Sequence, residues 1–226
     1  MAAQKRKLVI LGAGGNAGVL FHKFRESDTT EVVGFAVEHD FLTITERFGL
    51  PIVEVEEMEK HFPACDHVAM AAVNFSGLNR NRERLFKTAK AKGYQLINYI
   101  SPRACLDHGV SLGENVAILD FCTIQFDARI GDNVVIWPGA LVLDEGVVGS
   151  HVTIGANAII AGRSRLGDYS ILGIGAAIRE ETVVGKDCTI GAGAVVTRSL
   201  HDNTFIRPQK MFIAEDTSRQ IWEKKK

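Results

Sequence analysis

The stretch Val148-Gly149-Ser150-His151-Val152-Thr153-Ile154-Gly155-Ala156-Asn157-Ala158-Ile159-Ile160 decides the fold. Val148, Ile154 and Ile160 stand six residues apart, and Val152 and Ala158 each fall four places after such a mark. Working outward, seventeen consecutive marks from Ile100 to Val196 carry only Ile, Leu or Val, although these types make up just 56 of the 226 residues. Chance does not produce such a run, so the repeat is real. One aliphatic and one compact inward position per six residues describe a short strand and a corner. Such a unit cannot bury its apolar side alone and must lie on the next, so the spacing predicts a solenoid of flat coils. Glycines directly after marks, among them Gly113, Gly131, Gly155 and Gly173, are expected to help the chain bend. A β-sandwich would instead show period-two alternation broken by turns every 8 to 12 residues or so.

Bulk composition narrows the classes. Twenty-six Lys and Arg against 27 Asp and Glu leave a net charge of −1, which offers no footprint for nucleic acid. No run approaches the roughly 18 apolar residues of a membrane span, so neither a span nor a signal peptide is expected, and the cytoplasm is the expected location. Cys65, Cys105, Cys122 and Cys188 form no close pair, and two of them occupy compact inward positions, as buried free thiols in a reducing compartment would. No metal site is expected.

Ahead of the repeat, residues 1–98 alternate strand and helix. Strands are expected at Lys7–Leu11, Glu31–Val37, Val68–Val73 and Tyr94–Asn98, with helices near Ala17–Arg25, Glu54–Lys60 and Asn79–Lys92. That order predicts a small parallel sheet covered by helices, and so short a segment holds only half of a doubly wound fold, a half-Rossmann domain. The turn Gly12-Ala13-Gly14-Gly15-Asn16-Ala17-Gly18 follows a strand and opens a helix, so its amides can cradle a phosphate. It also satisfies G-x-G-x-x-A, with Glu38 at the end of the second strand where a ribose-binding acid would sit. A sugar-nucleotide phosphate, NAD and a tight turn that binds nothing all remain open. The remaining divisions are residues 99–203, the repeat domain, and 204–226, a C-terminal extension in which Ala214–Lys226 reads as a short helical cap.

The hexapeptide pattern resembles the hexapeptide-repeat acyltransferases, an all-β left-handed parallel β-helix with three hexapeptides per triangular coil. A half-Rossmann domain joined directly to such a helix resembles one branch in particular, the sialic acid O-acetyltransferase and bacillosamine-type nucleotide-amino-sugar N-acetyltransferase family. The likeness runs from Leu8 to about Asn203. It rests on Gly12-Ala13-Gly14-Gly15-Asn16, where Asn16 replaces the usual His, on Val37-Glu38, on Ala71-Ala72-Val73-Asn74, and on Ile97-Asn98-Tyr99-Ile100-Ser101-Pro102-Arg103-Ala104. The resemblance implies a homotrimer that moves an acetyl group from acetyl-CoA to a nucleotide-linked amino-deoxy sugar for bacterial surface polysaccharide. It further implies that Gly12, Gly14, Gly15, Asn16, Glu38 and Ala72 hold the sugar nucleotide. Thr153, Gly162, Ile174 and Ala192 fall at the positions that touch the CoA arm, chiefly through backbone.

Departures from the family strike the chemistry. An E-H-[DE]-C segment supplies the general base in the relatives, and this chain reads Leu143-Asp144-Glu145-Gly146, with Asp144 in place of the His and Glu145 keeping the adjoining carboxylate. Nine residues on, Thr153 replaces a second His. Acyl transfer needs a proton acceptor and an oxyanion donor. An Asp of pKa about 3.9 instead of a His of about 6.5 forfeits up to roughly 3.5 kcal/mol of proton-transfer driving force. Asp144 therefore reads as a base, as a clamp for the substrate ammonium, or as an ordinary polar corner residue. In an 18-residue coil Gly162 lies above it and leaves space, with Phe126 below as a floor. His151 is the only histidine of the central coils and stands either as a substitute base reaching a neighbouring subunit's groove or as a solvated corner residue. An O-acetyltransferase and a non-catalytic nucleotide-sugar-binding scaffold are the alternatives.

Overall fold

A computed structural model describes residues 5–208. The first unit is a six-stranded sheet in the order β3-β4-β2-β1-β5-β6, where β1 is Arg6–Leu11, β2 Thr30–Val37, β3 Glu46–Arg47, β4 Leu50–Glu54, β5 His67–Ala71 and β6 Gln95–Leu96. All neighbours are parallel except β3 and β4. Helix α1 (Gly15–Arg25) covers one face, while α2 (Met58–His61) and α3 (Arg80–Ala91) cover the other. The buried run Leu8, Val9, Ile10 and Leu11 feeds both layers, as a central parallel strand must.

Two features of this sheet escaped the sequence reading. Strand β4 was not expected; it runs up to the helix expected near Glu54–Lys60, which is present as a 3-10 turn at Val55–Glu57 followed by α2. Pro51 is tolerated since its missing N–H falls at the start of β4, beside the short edge strand β3. Those two strands join through Phe48 and Gly49, both at positive φ (53° and 77°), the geometry of a type I′ hairpin turn. Phe48 accepts that backbone while its ring stacks on Phe21 at 4.5 Å.

From Tyr99 onward the chain winds as a left-handed β-helix with three parallel faces. Each face stacks two-residue strands 18 positions apart, as in Ala117–Ile118, Val135–Ile136 and Thr153–Ile154 of the first face. The second face runs from Cys105–Leu106 to Val195–Val196 and the third from Ser111–Leu112 to Val183–Val184. Marks and compact residues meet in one axial core that includes Ile118, Cys122, Ile136, Ile154, Ala158 and Cys188, all fully buried. The first mark is an exception: Ile100 is 43% exposed, because no coil lies beneath it. After Val196 the period shortens, and Leu200 and Ile206 pair with Val184 and Ile190 at a spacing of sixteen. Strand Phe205–Ile206 therefore still belongs to the β-helix, whereas a boundary at 204 had been expected. The expected helix Ala214–Lys226 lies outside the described residues.

The glycines act differently from expectation. The residue that turns each corner is the third after the mark, and it has positive φ whether it is Gly139, Glu145, His151, Arg163 or Tyr169. Glycines directly after marks keep ordinary backbone angles. They are required by crowding: a Cβ on Gly155 would stand 2.6 Å from Ile174 N, and one on Gly167 would stand 2.5 Å from Gly185 C. Coils meeting at β-strand spacing leave no room there for a side chain.

The α/β unit docks on the first face. Outward residues Tyr99, Ala117 and Val135 are buried against Leu20, Phe24 and their neighbours of the α1 layer. Lys23 of α1 also reaches Asp120, which accepts from Ser101 at 2.5 Å and Arg103 at 2.7 Å.

Candidate active site

A cleft of about 650 Å³ opens at the C-terminal ends of β1, β2 and β5. Gly12, Gly14, Gly15, Asn16, Glu38 and Ala72, the six residues assigned to the sugar nucleotide, all line it. Gly12 has φ +116°, and a Cβ there would meet Val73 Cγ1 at 2.8 Å and Ala72 O at 3.0 Å, so the turn admits only glycine. Gly14 and Gly15 border open space. Gly14 caps α1 without a side-chain bond, which leaves the helix's first amides and positive dipole end available to an anion. Asn16 donates its side-chain amide to Val73 O at 3.1 Å and is thereby tied to the cleft wall.

Arg84 on α3 is the functional residue that sequence reasoning missed here. Its Nε and terminal nitrogen donate to the two oxygens of Glu38 at 2.6 and 2.8 Å, and its other nitrogen donates to Asn81 Oδ1 at 3.1 Å. This fork holds the Glu38 carboxyl below its usual range, against the opposing effect of burial. Nothing in the local sequence links positions 38 and 84; only the crossing of α3 over the sheet end does. Phe41 and Ile44, 65% and 54% exposed, complete an apolar wall.

The β-helix candidates divide among its edges. Asp144 and Glu145 stand at the corner between the second and third faces, and Gly162 lies one coil above. A Cβ on Gly162 would sit 2.5 Å from Asp144 Oδ1, so the space left by that glycine is filled by the Asp144 carboxylate itself. Gln125 Oε1 accepts from the Asp144 backbone amide at 3.2 Å. Arg163, also unanticipated, lies 3.4 Å from Asp144 Oδ2 and donates to Glu181 at 3.1 Å. Phe126 is 49% exposed. Ile174, 64% exposed, and Ala192 occupy the corner between the first and second faces, so they flank the second face from the side opposite to Asp144.

His151 and Thr153 sit elsewhere. His151 is at the corner between the third and first faces, buried under α3, stacked on Tyr169 at 5.0 Å and edge-on to Phe86. It neither faces a groove nor lies in solvent, because α3 closes that corner. Desolvation pushes its pKa down, with Glu83 opposing. Thr153 is 4% exposed, and its hydroxyl donates to Asn79 Oδ1 at 2.7 Å and accepts from Arg82 at 3.2 Å. The hydroxyl is thus turned to α3 and is not part of the backbone contact expected with a CoA arm. Among the described residues no group of His, Cys, Asp and Glu is arranged to hold a metal, and no helix is long and apolar enough to cross a membrane.

Known proteins agree with this architecture. The bacterial transferase hexapeptide (six repeats) family matches residues 109–144 and 163–198. The acetyltransferase domain of PglB from Neisseria gonorrhoeae FA1090, solved with acetyl coenzyme A, is 26% identical with a TM-score of 0.81, covering 92% of this chain and 100% of that one. PerB from Caulobacter crescentus, solved with CoA and GDP-perosamine, is 30% identical with a TM-score of 0.79, covering 89% and 93%. A histidine-to-alanine mutant of GDP-perosamine N-acetyltransferase from Caulobacter crescentus, holding the same two ligands, is 30% identical with a TM-score of 0.80, covering 93% and 97%. No curated protein matches the chain in sequence.

Proposed function

Since the chain belongs to the bacterial hexapeptide transferases, we propose that it transfers an acyl group, most simply acetyl, from acetyl-CoA to the amino group of a nucleotide-linked amino-deoxy sugar. One observation carries this reading: the glycine turn, the open amides of α1 and the Glu38–Arg84 pair gather in a single cleft beside a hexapeptide β-helix. Ligands of the similar proteins support it, being acetyl coenzyme A in PglB and CoA with GDP-perosamine in PerB.

In the proposed division of labour, residues 1–98 hold the nucleotide and the β-helix from Tyr99 onward presents the acyl donor. The β and α phosphates sit against Gly14–Asn16 at the helix N-terminus, where the backbone amides and dipole neutralise charge. The amine nitrogen attacks the thioester carbonyl, the C–S bond breaks, CoA leaves as its thiolate, and the proton released from nitrogen passes to Asp144. Asp144 serves in the position where the family resemblance implies a histidine. The room made by Gly162 lets its carboxylate lie against the coil above without a clash. An amine, which needs less basic assistance than a hydroxyl, suits such a carboxylate better than O-acylation does.

Leu141 and Ile159 on the second face, with Val195 63% exposed above them, form an apolar strip between the Asp144 and Ile174 edges. Three copies of the chain, each laid on the next along this strip, make the proposed homotrimer and wall the donor site. Cytoplasmic synthesis of a surface polysaccharide precursor is the setting proposed.

A second reading is favoured by the ion pair of Asp144 with Arg163. With its carboxylate already engaged, the chain would hold a nucleotide sugar without acylating it. Calorimetric titration with acetyl-CoA and, separately, with UDP and GDP decides between them, together with thiol release on mixing with UDP- or GDP-linked 4-amino sugars. Nucleotide binding without CoA binding overturns the transferase reading.

A further inference from the structure

Helix α3 has two working faces. Asn81, Arg84 and Leu85 line the cleft, whereas Arg82, Glu83 and Phe86 meet the β-helix. Arg82 is completely buried and, among the described residues, its hydrogen bonds all go to neutral groups. Its Nε donates to Asn133 Oδ1 at 3.2 Å, one terminal nitrogen donates to the carbonyls of Asn133 and Val152, both at 3.0 Å, and the other donates to Thr153 Oγ1 at 3.2 Å. Burial lowers its pKa to about 10, so the cation persists at neutral pH. A charge buried among neutral partners is a costly way to join α3 to the β-helix, whose apolar core with the first unit lies on the α1 side. What it supplies, and an apolar contact does not, is a unique placement of the helix.

We propose that Arg82 is a positioning residue for the nucleotide cleft: by pinning α3 to the first face it sets where Asn81 and Arg84 stand and, through Arg84, where Glu38 points. This inference rests on reading the cleft as the nucleotide site.

The same contact orders a chain of side chains along the corner. Asn133 Oδ1 accepts from Arg82 and from Asn115 Nδ2, the latter at 2.8 Å, so the Asn133 amide nitrogen faces His151 Nδ1 at 2.9 Å. Nδ1 is therefore an acceptor, and the neutral ring carries its proton on Nε2, 3.9 Å from Glu83 Oε1. Glu83 is fixed in turn by the Tyr169 hydroxyl at 2.9 Å. The charged or titratable groups facing His151 are Arg82, Glu83 and Lys87 from α3, and Asp168 and Tyr169 from the coil above. A second ring proton would oppose the Asn133 amide hydrogens. With its folded pKa depressed, His151 leaves the docking intact above its ordinary value of 6.5 and weakens it as pH falls below that value.

Calorimetric titration with UDP and GDP tests the proposal on the full chain, with circular dichroism to confirm folding. Arg82→Met and Thr153→Val should each weaken the preferred nucleotide about tenfold or more, because sub-ångström displacement of a clamp is enough for that. Thr153→Ser, which keeps the hydroxyl, should bind as the wild type does, and Arg82→Met should keep the wild-type affinity for acetyl-CoA. Wild-type nucleotide affinity should fall from pH 7.5 to pH 5.5, and His151→Asn should flatten that dependence. Nucleotide affinity that stays at the wild-type level in folded Thr153→Val and Arg82→Met overturns the proposal. Should Arg82→Met not fold, Thr153→Val alone decides. A wild-type chain that binds neither nucleotide overturns the cleft reading and this inference with it, an outcome distinct from unchanged variants of a binding chain.

Discussion

Two glycine-to-alanine changes, seven residues apart, should have opposite consequences. At Gly155 the added methyl would stand 2.6 Å from Ile174 N and 2.7 Å from Gly173 C, atoms of a backbone held by its own bonds to the next coil. Reaching ordinary contact near 3.4 Å means prising two coils apart by about 0.8 Å, an overpacking strain of about 1–3 kcal/mol. At 2–4 °C per kcal/mol for a chain of this size, the melting temperature should drop by roughly 3–10 °C. At Gly162 the methyl instead meets the Asp144 carboxylate, at 2.5 Å from Oδ1 and 3.0 Å from Cγ. That side chain is 26% exposed and held, among the described residues, only by its 3.4 Å pair with Arg163, so it gives way more readily than a backbone does. Its displacement is offset by the roughly 0.4–1 kcal/mol that alanine contributes by restricting the unfolded chain. Melting should therefore stay within about 2 °C of wild type, while a base moved by an ångström should cost on the order of 100-fold in turnover. Differential scanning fluorimetry and thiol release with a nucleotide-linked amino sugar measure the two. Wild-type turnover in Gly162→Ala would remove Asp144 from the mechanism, and a wild-type melting point in Gly155→Ala would refute the close stacking of coils.

Further outcomes follow from single contacts. Asp144→Asn should lower turnover by roughly 100-fold or more while the mass by light scattering stays that of wild type, since the amide accepts no proton. Glu145→Gly should raise the melting temperature by about 2–4 °C, because φ +54° is strained for Glu and free for Gly; a lower value would mean that Glu145 makes a contact worth more than the strain. Arg84→Ala should weaken nucleotide binding, and in wild type the Glu38–Arg84 contribution should persist above the ordinary carboxyl value of 4.5 and vanish as pH falls through the lower folded value. An affinity flat from pH 7 to 3 would contradict that pairing. Tyr94→Phe should cost about 1 kcal/mol in denaturant unfolding through loss of its 2.5 Å bond to Phe62 O.

Residues that serve the coil by themselves were legible in the chain, and those that serve a contact between units were not. The six-residue spacing located every axial core layer from Leu106 to Val196, because each position repeats the same local geometry and needs no distant partner. Ile100 failed the pattern only through lying at an open end. The glycine turn at Gly12–Gly18 was equally plain, since a strand, a tight turn and a helix are consecutive. Arg82 and Arg84 were invisible, two cations in the polar run Asn79–Arg84, until the helix that carries them lay between cleft and solenoid.

Sequence by itself determined the period, the solenoid and its inward residues, all set by which side chains a short repeat can bury, and the glycine turn between a strand and a helix. Tertiary structure alone decided that His151 and Thr153 lie beneath α3 and away from Asp144, and that the Asp144 carboxylate itself fills the space left by Gly162. It also decided that the glycines after the marks answer crowding between coils. The physical reason is range: burial periodicity acts between residues one coil apart, whereas a buried guanidinium finds its partners 51 to 71 positions along the chain only after both units have folded.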